Sequence, residues 1–257
     1  MNRTSLYYGW NPDLPDNRDL KYAAPEAILT NLPPKVDMRS KCPPVYDQGQ
    51  LGSCTGNAIA GAYQFELMKQ EAPDFIPSRL FIYYNERVIE NTVNSDPGAK
   101  IRDGMSSVSK QGVCDEKLWP YIISEYTQKP HQICYQDALK HTVTSYHRIS
   151  RNINQMKGCI ADGYPFIIGF TVYQSFESQQ VTQTGIVNLP KAGEKVVGGH
   201  AVVVVGYDDS QERFILRNSW NDDWGMKGYF TMPYAYLLNE HLSDDFWTIR
   251  LVSNNQA

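Results

Sequence analysis

Apolar positions change their period along the chain. From Thr55 to Gln70 they fill most of the circumference of a helical projection, the pattern of a helix enclosed by its own domain. Two more helical stretches follow, Ser78–Glu90 and about Ile101–Gln111, the second stopped by Gly112. Beyond about residue 143 the runs shorten. Pro165–Val172, Ala201–Tyr207, Arg213–Arg217 and Gly228–Met232 are rich in β-branched and aromatic residues and are separated by Gly, Asn and Asp turns. This succession predicts an α+β fold with a helical half at about 44–143 and an antiparallel, barrel-like β half at about 144–257. A cleft between two unlike halves is a usual place for an active site. Residues 131–142 follow no readable period.

The first 31 residues carry Pro, Asp, Asn and aromatics without helical or strand periodicity, which predicts an extended leader rather than a domain. Two arrangements are open to its Tyr7, Tyr8 and Trp10. Covering an apolar cleft would make the leader propeptide-like and autoinhibitory; packing on the surface elsewhere would merely extend the fold.

A length of 257 residues with 42% hydrophobic content supports a large core. The 24 basic and 28 acidic residues give a formal charge of -4, and no Lys/Arg run could follow a phosphate backbone, so no nucleic-acid partner is expected. Runs such as Ala201–Val205 fall far short of the roughly 18 to 20 apolar residues of a membrane helix, so no membrane partner is expected either. The N-terminus lacks the apolar segment of about 7 to 15 residues found in a secretory signal. The five cysteines are odd in number, form no C-x-x-C pair and do not cluster with histidine, so neither a metal nor an organic cofactor is expected. A core of this size needs no disulfides, and a cytoplasmic or virion-associated setting is expected ahead of Sec secretion.

Candidate chemistry begins at Cys54. A thiol at the start of a buried helix meets free backbone N–H groups and the positive end of the helix dipole, both of which favour thiolate. Gly49, Gly52 and Gly56 allow close approach of another chain. Gln48 and the Cys54 N–H can together hold an oxyanion. In the other half, Gly198-Gly199-His200-Ala201-Val202 sets an imidazole at the mouth of a strand. Eighteen positions on, Asn218 ends the next strand-like run, so a hairpin would bring its amide oxygen to the ring and fix the tautomer. Singly, each has a plainer reading: a small core cysteine, a structural histidine, a turn asparagine. Their combination in the order Gln, Cys, His, Asn is what points to catalysis.

The segment Pro44-Val45-Tyr46-Asp47-Gln48-Gly49-Gln50-Leu51-Gly52-Ser53-Cys54 resembles the nucleophile segment of the papain and cathepsin cysteine peptidases. Gly199-His200-Ala201-Val202 with Val205-Gly206-Tyr207 is similar to that family's histidine strand. Asn218-Ser219-Trp220, Trp224-Gly225 and Gly228-Tyr229 are similar to its asparagine segment. The resemblance runs from Leu32-Pro33-Pro34 to Phe246-Trp247. It implies a two-subdomain papain-like peptidase domain at 32–257 acting on peptides or proteins. By the same resemblance Cys54 is the nucleophile, His200 the acid and base, Asn218 the orienting residue and Gln48 the oxyanion donor, with Trp220 shielding the His–Asn bond. Gly98 is implied as a backbone strip pairing with substrate. Gly199 stands where the family has a more polar residue beside the cleft. Asp244 and Asp245 fall near the floor of the main specificity pocket, where a carboxylate would favour a basic side chain; the plainer reading makes both solvated turn residues. Thr55 replaces a usual aromatic and Leu51 a usual disulfide cysteine, which resembles a microbial or viral branch. A catalytically silent peptide-binding module, and an acyl transferase or isopeptidase using the same site, are the alternatives.

Overall fold

The computed structural model describes residues 7–253; the outermost residues of the leader, 1–6, and of the C-terminus, 254–257, lie outside the described residues. A short helix, α1 (Glu26–Thr30), and a short strand, β1 (Lys35–Asp37), precede a helical layer of α2 (Cys54–Lys69), α3 (Arg79–Glu90), α4 (Ile101–Lys110) and α5 (Gln132–Ala138). The rest alternates β2 (Val143–Arg148), α6 (Ile153–Ala161), β3 (Phe166–Tyr173), α7 (Gln179–Thr184), β4 (Val196–Asp208), β5 (Arg213–Arg217), β6 (Tyr229–Pro233), α8 (Tyr234–Leu238) and β7 (Ser243–Val252).

The continuous apolar circumference of α2 is explained by its surroundings. Every residue from Cys54 to Leu67 is buried, between α3 and α4 on one side and β4 and β7 on the other. Helix α3 starts at Ser78, whose side chain accepts the Phe81 N–H, and stops at Asn91 in the left-handed conformation. Helix α4 ends before Gly112, where φ is +77° and an added Cβ would lie 1.8 Å from the Ala138 carbonyl oxygen. Only glycine fits that position.

The strands form one antiparallel sheet in the order β2-β7-β3-β4-β5-β6, with β1 pairing β4 beyond the end of β3. The edge strands β2 and β6 do not pair, so the barrel-like sheet curls without closing. Its curl comes from irregular registers between Val204 and Gly206 on β4 and between Ile167 and Gly169 on β3. Among the described residues no helix is long and apolar enough to cross a membrane.

Phe170 lies at the heart of the β half, with ring centroids 5.3 Å from Phe176, 5.7 Å from His200 and 6.0 Å from Tyr236. It is fully buried, and its register partner on β4 is His200. Phe170→Ala is expected to cost about 3 to 5 kcal/mol of stability, measured by urea unfolding.

Candidate active site

The cleft is built where the N-terminus of α2 meets the centre of β4. Cys54 opens α2 and is fully buried, and its Sγ accepts the Ala201 N–H at 3.4 Å. The hairpin of β4 and β5 pairs Val203 with Arg217, which carries Asn218 beside His200. The His200 Nε2 to Asn218 Oδ1 distance is 2.8 Å, and the same oxygen accepts the Ser219 N–H at 2.9 Å. Two donors at Oδ1 fix the amide orientation and put the imidazole proton on Nε2. Nδ1 is left as the ring nitrogen without a hydrogen-bond partner. Trp220 stacks on the imidazole at 4.8 Å and 25° and is itself walled by Trp224 and Phe176, so the His–Asn bond is closed to water.

Gln48 is also fully buried, and Ser219 Oγ donates to its Oε1 at 2.7 Å. That bond turns Nε2 outward as a donor. Ser219 thus orients the Gln48 amide, a contact the sequence motif contained without revealing it.

The leader occupies this site. Gln48 Nε2 donates to the Tyr7 carbonyl oxygen at 3.2 Å. The Gly9 backbone N–H points to the Cys54 sulfur, and an added Cβ on Gly9 would lie 1.7 Å from the Gly52 carbonyl oxygen. Tyr8 packs its ring 5.9 Å from that of His200 and donates its hydroxyl to Glu177 at 2.9 Å. Trp10, almost wholly buried, donates its N–H to the Gly199 carbonyl oxygen at 2.9 Å. Of the two sequence-level arrangements for these aromatics, the cleft-covering one is observed for Tyr8 and Trp10.

Backbone pairing with the leader falls to Ala99, one residue beyond the expected strip. The Ala99 N–H donates to the Gly9 oxygen at 2.7 Å and the Asn11 N–H to the Ala99 oxygen at 3.0 Å, a parallel bridge. Gly98 instead directs its N–H to the Tyr83 hydroxyl and, at φ +81°, leaves room for Gly9.

Asp244, expected near the floor of the specificity pocket, is engaged by two arginines. Its carboxylate holds Arg148 at 3.1 Å and Arg151 at 3.3 Å, so it offers no unpaired charge to a basic side chain. The buried neighbour, Asp245, faces the cleft. It accepts the Trp10 indole N–H at 3.0 Å and the Asp13 N–H at 2.8 Å, and pairs with Arg148 at 2.8 Å. Neither local propensity nor motif separates these two adjacent aspartates; only the strand geometry does.

With the leader in place Cys54 and His200 are desolvated. Burial pushes the Cys54 thiol up to about 12 and the His200 imidazole down to about 4, against the opposing hydrogen bond from Asn218. Both groups are neutral at pH 7, so the thiolate–imidazolium pair is suppressed.

This fold and cleft define a thiol peptidase, and the chain belongs to the papain family of cysteine proteases, whose model matches residues 32–240. It is a cysteine peptidase, a hydrolase. Its sequence is 41% identical over 275 aligned positions to an uncharacterised peptidase C1-like protein of Acanthamoeba polyphaga mimivirus, covering 97% of this chain and 88% of that one. Xylellain, a cysteine protease from Xylella fastidiosa, superimposes with a TM-score of 0.90 at 46% identity, over 95% of each chain. The proCathepsin B S9 of Trypanosoma congolense shares the fold, with a TM-score of 0.78 at 16% identity over 96% of this chain and 87% of that one.

Replacing Tyr8 and Trp10 together by alanine is expected to readmit water to the thiol. Alkylation of Cys54 by iodoacetamide at pH 7, followed by intact mass, should then accelerate by on the order of 10² or more as the thiol returns toward its ordinary range. An unchanged rate would show that the leader does not control the thiol.

Proposed function

We propose that the chain is a latent peptidase that hydrolyses peptide bonds through Cys54 and is held inactive by its own leader. The observation that carries this reading is the leader backbone seated on the catalytic groups, with the Tyr7 carbonyl on Gln48 and the Gly9 N–H on the Cys54 sulfur.

Once the leader leaves, His200 Nδ1 takes the thiol proton and the thiolate attacks a substrate carbonyl carbon. Gln48 Nε2 and the Cys54 N–H receive the resulting oxyanion. His200, held by Asn218, passes the proton to the departing amine, and the carbon–nitrogen bond breaks to leave an acyl-enzyme. Water, deprotonated by the same imidazole, then hydrolyses the thioester. Gly199 offers its carbonyl oxygen to a substrate N–H, as it does to Trp10, and Ala99 pairs with the extended backbone while Gly98 gives it room. No observation favours the silent module or acyl transfer.

Leader and body are joined by buried charges. Asp13 accepts the Trp247 indole N–H at 3.2 Å and the Arg102 backbone N–H at 3.2 Å, and lies 3.6 Å from the Arg148 guanidinium. Asp19 pairs with Arg102 at 2.7 Å and Arg148 at 3.4 Å. Burial first, and then the Asp245 carboxylate, push the Asp13 carboxyl up to about 7. In a released leader it returns to about 3.9. The closed form therefore holds a proton between these values that the open form lacks. Closure is fully supported by this group below about pH 4, and the support is lost as pH rises through about 7.

Two outcomes are expected. With residues 1–31 removed, a fluorogenic peptide substrate is cleaved; Cys54→Ala abolishes cleavage and Gln48→Ala lowers kcat by on the order of 10² to 10³. Equal rates for the full and shortened chains would remove the latency. In the full chain, protection of the Trp10 and Ala99 amides against hydrogen exchange, corrected for intrinsic rate, should weaken between pH 6 and pH 8. Asp13→Asn should flatten that dependence, and a flat profile in the unaltered chain would refute the role of Asp13.

A further inference from the structure

The pocket filled by Trp10 has features that mere leader packing does not require. It lies one residue along from the point where Gly9 meets the Cys54 sulfur, so it borders the reacting position. Its walls lack side chains at two points: an added Cβ at Gly169 would lie 1.9 Å from the Trp10 ring, and one at Gly199 would lie 2.9 Å from it. The space is thereby wide enough for a bicyclic ring.

The floor is set by an unusual piece of backbone. Between the pairs Ile167–Trp247 and Gly169–Asp244 the β7 strand has one residue more than β3, and Asp245 lies in this bulge at φ +59°. A non-glycine residue in that conformation inside a strand is uncommon and costs energy. The result is a buried carboxylate turned toward the cleft. Its Oδ1 is taken by Arg148, while Oδ2 faces the indole N–H.

When the leader leaves, Oδ2 loses both its donors, from Trp10 and from Asp13, while Arg148 stays. The acceptor then requires a donor at the far end of whatever side chain enters. Arg148 beside it already balances the charge, so a lysine or arginine would meet a cation across the pocket. A phenylalanine would leave the oxygen without a donor.

Resting on the peptidase reading above, we infer that this pocket selects tryptophan in the substrate and that Asp245 is the residue that determines the selection, through the indole N–H. The leader's Trp10 occupies the place of that side chain.

The test uses the full chain carrying Trp10→Gly and Cys54→Ala, which vacates the pocket and prevents turnover. Its affinity for Ala-Xaa-Gly-Gly peptides is measured by titration calorimetry with Xaa as tryptophan, benzothienylalanine or arginine. Benzothienylalanine keeps the bicyclic outline and replaces N–H by sulfur. Competition from the remaining leader is the same for all three peptides and cancels in the ratio. The tryptophan peptide is expected to bind at least about tenfold more tightly than either other, since a site built around a donor rejects the analogue lacking it. Asp245→Ala, with folding checked by its thermal transition, should abolish the preference. Equal affinities, including no binding of any peptide, overturn the inference without need of that variant. Hydrolysis of the same peptides by a chain lacking residues 1–31, with Cys54 intact, is scored separately. Selective binding without cleavage would sink the peptidase reading and leave the pocket assignment standing.

Discussion

The packing of α2 on β4 is the constraint to which the rest of the molecule conforms. It sets a helix N-terminus carrying a thiol against a strand carrying an imidazole, and each side of the contact is dry. A helix buried all round must satisfy its polar side chains internally. Thr55 donates to Glu86 at 2.7 Å, Asn57 to the Ser53 carbonyl at 2.9 Å, and Gln64 to Asp74 while accepting from Tyr46. Burial raises the Glu86 carboxyl well above its ordinary range beneath this helix. Arg217, at the end of β5, donates to the carbonyls of Pro43 and Pro44 and ties the segment leading to Gln48 onto the hairpin that presents Asn218. The segment leading to Gln48 and the hairpin presenting Asn218 are therefore joined by one side chain.

On this frame the leader is a fourth party rather than an appendage. It pairs its backbone with Ala99 from the helical half and with Gly199 from the β half, and further along with Arg148 through Tyr22. Two of its carboxylates, Asp13 and Asp19, share the Arg148 guanidinium with two carboxylates of the body, Asp244 and Asp245, and Asp19 also holds Arg102. Without the leader those two acids would face Arg148 and Arg151. The same surface would thus carry a different balance of charge once uncovered.

Much of this was legible before any coordinates. The full apolar circumference of α2 fixed its burial, and the glycine after α4 marked a real stop. The hairpin between His200 and Asn218 followed from two short β-rich runs with a turn between them. What stayed hidden has a common cause. Strand β7 contains the buried polar residues Ser243, Asp245 and Thr248; Asp245 accepts from Trp10, Asp13 and Arg148, while Ser243 and Thr248 donate to the Leu237 and Pro165 carbonyls, so no period-two alternation survives. Sheet closure is decided by the sum of bends at irregular registers, which no local pattern encodes. The leader has no period because its partners are the rims of a cleft rather than a flat layer. Ala99 and Ser219 act through backbone and second contacts that carry no distinctive residue type.

The backbone bridge between Trp10 and Ala99 joins two stretches of one continuous chain, and that tether has its own thermodynamics. An inhibitor attached to its target is present at an effective concentration set by the connecting chain, commonly in the millimolar range for short flexible links. Dilution leaves that concentration unchanged, so the occupancy of the cleft is the same in a crowded compartment and in a single isolated molecule. A competing peptide must match a neighbour that never diffuses away. Severing the connection anywhere between the bridge and β1 would convert the leader into an ordinary ligand, subject to mass action for the first time.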